Sequence, residues 1–259
     1  MKIIVKVGTS CIIKNKKYID YDVINNITKQ ISKLQKDGDQ IILIASGAVG
    51  LGRIILKPKF WQLRKKREYQ QINKNVIASC GQSLLTSIYF NSFSKNNQIL
   101  SQILLTKDQI NDSIYTDHIS YTINEIWKSK NIIPFINEND TIVPDGFNLH
   151  DNDELTAFLA KQLMVDKVVI LSSVDGVYKN STITEENLIK EININQEDQN
   201  IEFFAKTDAG RGGMSHKIDM CEMMAKIGVV CHIYNGKKAN AIIKTLKNPK
   251  KYGTIIYKK

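Results

Sequence analysis

Along the chain, short runs of continuous apolar residues alternate with longer stretches in which apolar positions recur every three or four residues. The first kind reads as buried strand and the second as amphipathic helix. Lys2 to Lys6 is the first strand, and Gly8 directly after it permits a tight turn or a close backbone approach to a ligand. Val23, Ile24, Ile27, Ile31 and Leu34 then fall on one helical face that closes at Asp37-Gly38, where glycine suits a helix C-terminus. Ile41 to Ile44 forms a second buried strand, followed by Ser46-Gly47-Ala48.

The alternation continues with a helix around Val76 to Phe93, a strand around Ile99 to Leu105, a helix around Ser120 to Lys128 and a strand at Ile132 to Ile136. A helix at about Asp153 to Met164 precedes the apolar strand Val168 to Leu171; a helix after Gly213 ends near Gly228, and strands follow at Val229 to Tyr234 and near Thr254 to Tyr257. Continuously apolar strands alternating with helices predict an α/β fold, a mostly parallel sheet covered on both faces by helices. Ligands bind such sheets at the carboxyl ends of the strands, where the glycine- and carboxylate-rich segments fall. No proline- or serine-rich tract divides the 259 residues, so residues 1–259 are expected to form a single domain. The polar segment from Asn180 to Gln199 is expected to be a mobile excursion.

Composition changes this picture little. The formal charge of +10 raises an anionic macromolecule as a partner. Lysine is used heavily along the entire chain, however, and the one dense basic run, Arg64 to Arg67, has no interleaved stacking aromatics, so no specific nucleic acid is expected. No segment is apolar for long enough to be a signal-peptide core or a membrane span. Cys11, Cys80, Cys221 and Cys231 form no CxxC pair and do not cluster with the four histidines at zinc spacing, so no metal-binding side chains are expected; free thiols suit a reducing cytoplasm.

The candidate chemistry lies in an ordered series: KVGTS at Lys6 to Ser10, ASGAVG at Ala45 to Gly50, INENDTIV at Ile136 to Val143, HDNDELTA at His150 to Ala157, LSSVDGVY at Leu171 to Tyr178 and GRGGMSHK at Gly210 to Lys217. Any one is a modest signal, since a strand end or a polar turn yields each by itself. Taken in this order, from Lys2 to about Tyr257, the chain resembles the amino acid kinases, and within them the glutamate 5-kinases. The resemblance implies the family's three-layer α/β/α sandwich, MgATP as cofactor, and phosphorylation of the L-glutamate side-chain carboxylate to an acyl phosphate that feeds proline synthesis.

Residue by residue, the resemblance implies Lys6 and Lys217 as the phosphate-binding lysines and Asp153 as the carboxylate holding both in place. The amides around Gly8 and Thr9 would hold phosphate oxygens, as would the glycine turn Arg211-Gly212-Gly213-Met214-Ser215 at a helix start. ATP's base and ribose would lie near Ser172, Ser173 and Asp175 to Tyr178. Glutamate would bind at Ser46, Asp140 and Asn152, with Gly47, Ala48, Asn137 and Asp151 beside them. Asp151 and Glu154 also have the spacing of a capping box, so a carboxylate that simply caps the helix start is the alternative reading of this stretch, and both readings can hold together. The family commonly has Thr-Asp where Ser172-Ser173 stand and threonine where Arg211 stands. Many members carry a C-terminal PUA domain, which is not expected here. Proline as a feedback inhibitor and a dimer or tetramer are further implications.

The chemistry fits these residue types. A glutamate side chain with a pKa of about 4.3 is already ionised at neutral pH, so the nucleophile needs no general base. What phosphoryl transfer requires is charge neutralisation and in-line positioning, which lysines and glycine-loop amides supply. Mg²⁺ would be held mainly by ATP's phosphates. Two rivals remain at this level: a kinase of the same fold acting on another small carboxylate or phosphate, and a non-catalytic nucleic-acid-binding or sensor protein.

Overall fold

The computed structural model describes residues 1–63, 73–142, 152–179, 182–195 and 213–259. Its frame is an eight-stranded sheet. The strands at its centre are β1 (Lys2–Val7), β4 (Gln40–Ala45), β6 (Ile132–Glu138), β7 (Lys167–Ser172) and β11 (Val230–Asn235). The order across the sheet is β10-β12-β11-β7-β1-β4-β6-β5, with β5 (Ile99–Leu105) at one edge and β10 (Glu191–Asn193) beside β12 (Thr254–Tyr257) at the other. All neighbours are parallel except β11 and β12. Two ribbons lie outside it: β2 (Ile13–Lys14) with β3 (Tyr18–Ile19), and β8 (Val177–Tyr178) with β9 (Leu188–Ile189).

Alternation along β1 shows why the sheet is covered twice. Ile3, Val5 and Val7 pack in one apolar cluster with Ile27 and Ile31 of α2 (Tyr21–Lys36), Tyr89 and Phe93 of α4 (Lys74–Ser94) and Ile242 of α9 (Ala241–Lys247). Ile4 points the other way, into a cluster with Ile123 of α6 (Ser113–Trp127), Leu159 of α7 (Asn152–Gln162) and Met224 of α8 (Met214–Lys226). Successive side chains on a strand face opposite sides, so a strand buried on both faces must be apolar throughout. Lys6 breaks that rule: it shares the face of Ile4 and is 1% exposed.

The sequence pattern located the main strands to within one or two residues but missed α3 (Ala48–Leu63) and α9, and began the α6 helix too late, at Ser120 rather than Ser113. Glycines at 47, 50 and 52 argue against a helix by propensity. Tertiary packing overrides them. A β-carbon on Gly52 would lie 1.9 Å from the Ile77 carbonyl oxygen, and one on Gly81 would lie 1.7 Å from that of Ala48. The glycines therefore let α3 and α4 meet backbone to backbone, which fixes the start of α3 immediately after β4. No helix among the described residues is long and apolar enough to cross a membrane.

Candidate active site

Parallel strands put their carboxyl ends on one edge of the sheet, and the motifs gather there. Val7 is paired with Ala45 and with Leu171, so the segments starting at Gly8, Ser46 and Ser172 leave the sheet side by side. The Gly8 N–H donates to the Leu171 carbonyl oxygen at 3.1 Å and the Ser46 N–H donates to that of Val7 at 2.9 Å, tying the three exits together. The Cys11 thiol donates to the same Leu171 oxygen at 3.2 Å. Burial pushes that thiol up to about 11, so it stays neutral as a packing group.

Under this edge Lys6 meets α7. Its Nζ donates to Asp153 Oδ1 at 2.5 Å, and both residues are almost completely buried. Lys217, in the first turn of α8, brings its Nζ to 3.8 Å from Asp153 Oδ2. Burial alone would raise the Asp153 carboxyl; Lys6 and Lys217, with a smaller contribution from His216, outweigh it and hold the carboxyl below the usual range. Asp153 thus remains a carboxylate and both lysines have a counter-charge. A group with a depressed folded pKa adds stability above its unfolded pKa and loses it as pH falls through the folded value, so the contribution of Asp153 is lost in acid.

Asn152, the neighbour of Asp153, is positioned equally firmly. Its Oδ1 accepts from the Glu138 N–H at 3.1 Å and its Nδ2 donates to Ser46 Oγ at 3.1 Å, joining the ends of β6 and β4. Asn137, expected beside the substrate, is 3% exposed, and its amide is used on the backbone. Oδ1 accepts from the Ala45 N–H at 3.2 Å and Nδ2 donates to the Ala45 carbonyl oxygen, so the side chain extends the β4–β6 ladder by one step. Asp140, past the end of β6, forms an ion pair with Lys74 at 3.5 Å. Gly47 and Ala48 are buried at the turn into α3, with Gly47 at φ +139°.

This arrangement can be compared with known proteins. The profile of the Amino acid kinase family matches residues 1–235. The chain belongs to that family. Glutamate 5-kinase of Ligilactobacillus salivarius is 32% identical over 100% of this chain and 96% of its own length. Glutamate 5-kinase of Thermoanaerobacter sp. (strain X514) is 34% identical over 98% of this chain and 67% of its own length. Among solved structures, carbamate kinase from Giardia lamblia bound to AMP-PNP superposes with a TM-score of 0.65 at 18% identity, covering 100% of this chain and 98% of that one. Isopentenyl phosphate kinase from T. acidophilum gives 0.66 at 19% identity, covering 99% of this chain and 100% of that one. At such identities these two structures establish the amino acid kinase fold.

In this amino acid kinase, the segments expected on the nucleotide side are the residues that follow β7 and the start of α8. Ser172 is buried with its Oγ accepting from the Val174 N–H at 3.3 Å, while Ser173 is exposed. Asp175 accepts from Asn235 Nδ2 at 2.8 Å and lies 3.6 Å from Lys238 Nζ. Tyr178 is buried, and burial together with the Asp175 carboxylate raises its phenol. α8 is capped by Gly213, which has no side chain to satisfy the first-turn N–H groups of Met214 and Ser215. An uncapped helix start with a lysine in its first turn suits a phosphate. Asp151, Arg211 and Gly212 lie outside the described residues, as do Arg64–Arg67 and part of the polar segment from Asn180 to Gln199.

Sequence reading singled out neither Lys74 nor Asn235 and Lys238. Asn235 ends β11, the strand beside β7, and the parallel register alone would have carried it to this edge had the strand order been known. Lys74 carried no local signal, because its partner Asp140 is distant in sequence.

Proposed function

We propose that this chain phosphorylates the side-chain carboxylate of L-glutamate with ATP, giving L-glutamyl 5-phosphate for proline synthesis. The observation that carries this reading is the convergence of Lys6 and Lys217, from opposite ends of the chain, on Asp153. A carboxylate nucleophile is already charged, so the chief obstacle is the build-up of negative charge as the phosphoryl group passes between two oxygens. Two ammonium groups fixed in advance by a buried carboxylate meet that need without reorganisation. Ser46 and Asn152, bonded to each other, would orient the amino acid; Gly8, Thr9 and the first turn of α8 would hold phosphate oxygens.

MgATP, when bound, supplies the phosphoryl group. Mg²⁺ would be held mainly by its phosphates. The nucleotide would lie between Asp175 to Tyr178 and the start of α8. Proline as a feedback inhibitor at the amino acid site and a single functional domain over residues 1–259 follow the same family reading. A homo-oligomer follows from the same family reading.

The experiment is incubation with MgATP, hydroxylamine and a panel of acids. Glutamate is expected to give the hydroxamate of its trapped acyl phosphate. Product from aspartate or glutarate with none from glutamate would transfer the assignment to another acid.

A further inference from the structure

Charge is spread unevenly along this chain. Residues 237–259 hold eight of the 36 basic side chains and none of the 26 acidic ones, so the formal net charge of +10 is carried almost entirely by this stretch. A general lysine bias does not produce that pattern, because in the rest of the chain acids offset the bases.

The fold keeps these cations together. The segment leaves β11 at Lys237 and Lys238, forms α9 with Lys244 and Lys247, and turns through Lys250 and Lys251 into β12, which lies beside β11. The Lys251 and Tyr252 N–H groups donate to the Asn248 carbonyl oxygen at 3.0 and 3.3 Å, closing that turn. Tyr252 then gathers two ammonium groups: Lys244 Nζ lies 5.7 Å and Lys251 Nζ 5.6 Å from its ring centroid. The ring is itself packed against Tyr234, 6.0 Å between centroids. Two acids reach the patch from outside the segment, Asp175 beside Lys238 and Glu191 beside Lys250. Lys237, Lys244, Lys247 and Lys251 form no ion pair among the described residues. Like charges gathered in this way repel one another, and a polyanion relieves the repulsion while releasing its own counterions.

We propose that the corner formed by α9 and the turn into β12 binds the phosphate backbone of a single-stranded nucleic acid, independently of the kinase reaction. The class of partner follows from what the patch holds and what it lacks. Lysine ammonium groups take phosphates as point charges without reading base edges, so the binding is sequence-tolerant. None of the exposed large apolar side chains among the described residues falls within residues 237–259, so the surface lacks the apolar groups that seat a peripheral helix in a membrane. α9 is seven residues long and buries Ala241, Ile242 and Thr245, so it does not project as a helix that could enter a duplex groove. A flexible strand can follow the lysines around the corner.

The test is fluorescence anisotropy of labelled oligo(U) and oligo(dT) with the full chain, titrated with salt from ~50 to ~200 mM. Saturable binding of either strand that weakens steeply with salt is expected. In Lys247→Gln/Lys251→Gln the slope of log K against log salt should become shallower by about 1.4, about 0.7 for each lysine lost, and in Lys247→Gln alone by half as much. Lys16→Gln/Lys17→Gln removes two exposed lysines from the turn between β2 and β3 and should leave slope and affinity unchanged. Turnover should be the same in all three variants as in the unaltered protein. Absence of binding at the lowest salt, or an equal loss in the Lys16 and Lys17 variant, overturns the proposal. Tighter binding of a duplex, of poly-L-glutamate or of anionic vesicles than of the single strands overturns it as well, by assigning the patch to a different partner.

Discussion

Asp153 uses its two oxygens on two different lysines: Oδ1 accepts from Lys6 Nζ at 2.5 Å, and Oδ2 lies 3.8 Å from Lys217 Nζ. One carboxylate thereby connects β1, at the start of the chain, with α8, near its end. The closer pair is buried and the looser lysine is the more exposed one, with 14% of its side chain open. Lys6 is thus the more deeply buried of the two cations, and Lys217 is the more accessible one.

Removing the more exposed cation should affect the rate far more than the fold. In Lys217→Met, kcat is expected to fall about 100- to 1000-fold, the range associated with losing one preorganised transition-state donor. The melting temperature should stay within a few degrees, since the tighter Lys6–Asp153 pair is untouched. Steady-state kinetics beside a thermal melt measures both, and near-normal turnover would refute the assigned role.

Asn137 acts on the backbone, so its removal should be felt in stability as well as in binding. Asn137→Ala leaves the Ala45 N–H buried without its acceptor, a change that costs about 1–3 kcal/mol. Chemical denaturation should report that loss, together with a higher KM for glutamate as the Ser46 turn loosens. An unchanged unfolding free energy would show that the ladder extension is dispensable.

His232 gives the protein an acid-sensitive element away from the site. It is 1% exposed on β11, and neither ring nitrogen has a hydrogen-bond partner. Burial, aided by Lys167, brings its pKa down from 6.5 to about 4. The neutral ring is thus favoured in the folded state, and its contribution is complete above pH 6.5. As pH falls toward 4 the unfolded chain takes up a proton that the folded one does not, and stability declines by about 3 kcal/mol over this window. His232→Met should flatten this decline, as followed by denaturation at pH 7 and pH 5. An equal decline in the variant would place its origin elsewhere.

The legible parts of this protein were those encoded locally. Ile41 to Ile44 and Val168 to Leu171 announced buried strands because both faces of each are covered, and a run of apolar residues records that directly. Lys6 and Lys217 were legible through the motifs around them. α3 was not, because Gly50 and Gly52 lower helix propensity and only contact with α4 explains their presence. The bonding of the Asn137 amide to Ala45 was not legible either, because a polar residue after a strand gives the same signal whether it faces a ligand or a neighbouring backbone.

The sequence by itself determined the alternation of strands and helices, the carboxyl-edge location of the motifs and the kind of chemistry they support, since periodicity and residue type are local properties. Tertiary structure decided which residues share a partner. The joining of Lys6 to Lys217 through Asp153, the diversion of the Asn137 amide to Ala45 and the meeting of Lys74 with Asp140 all depend on strand order and helix packing. Electrostatic and hydrogen-bond energies depend on separation in space, and separation along the chain does not specify it.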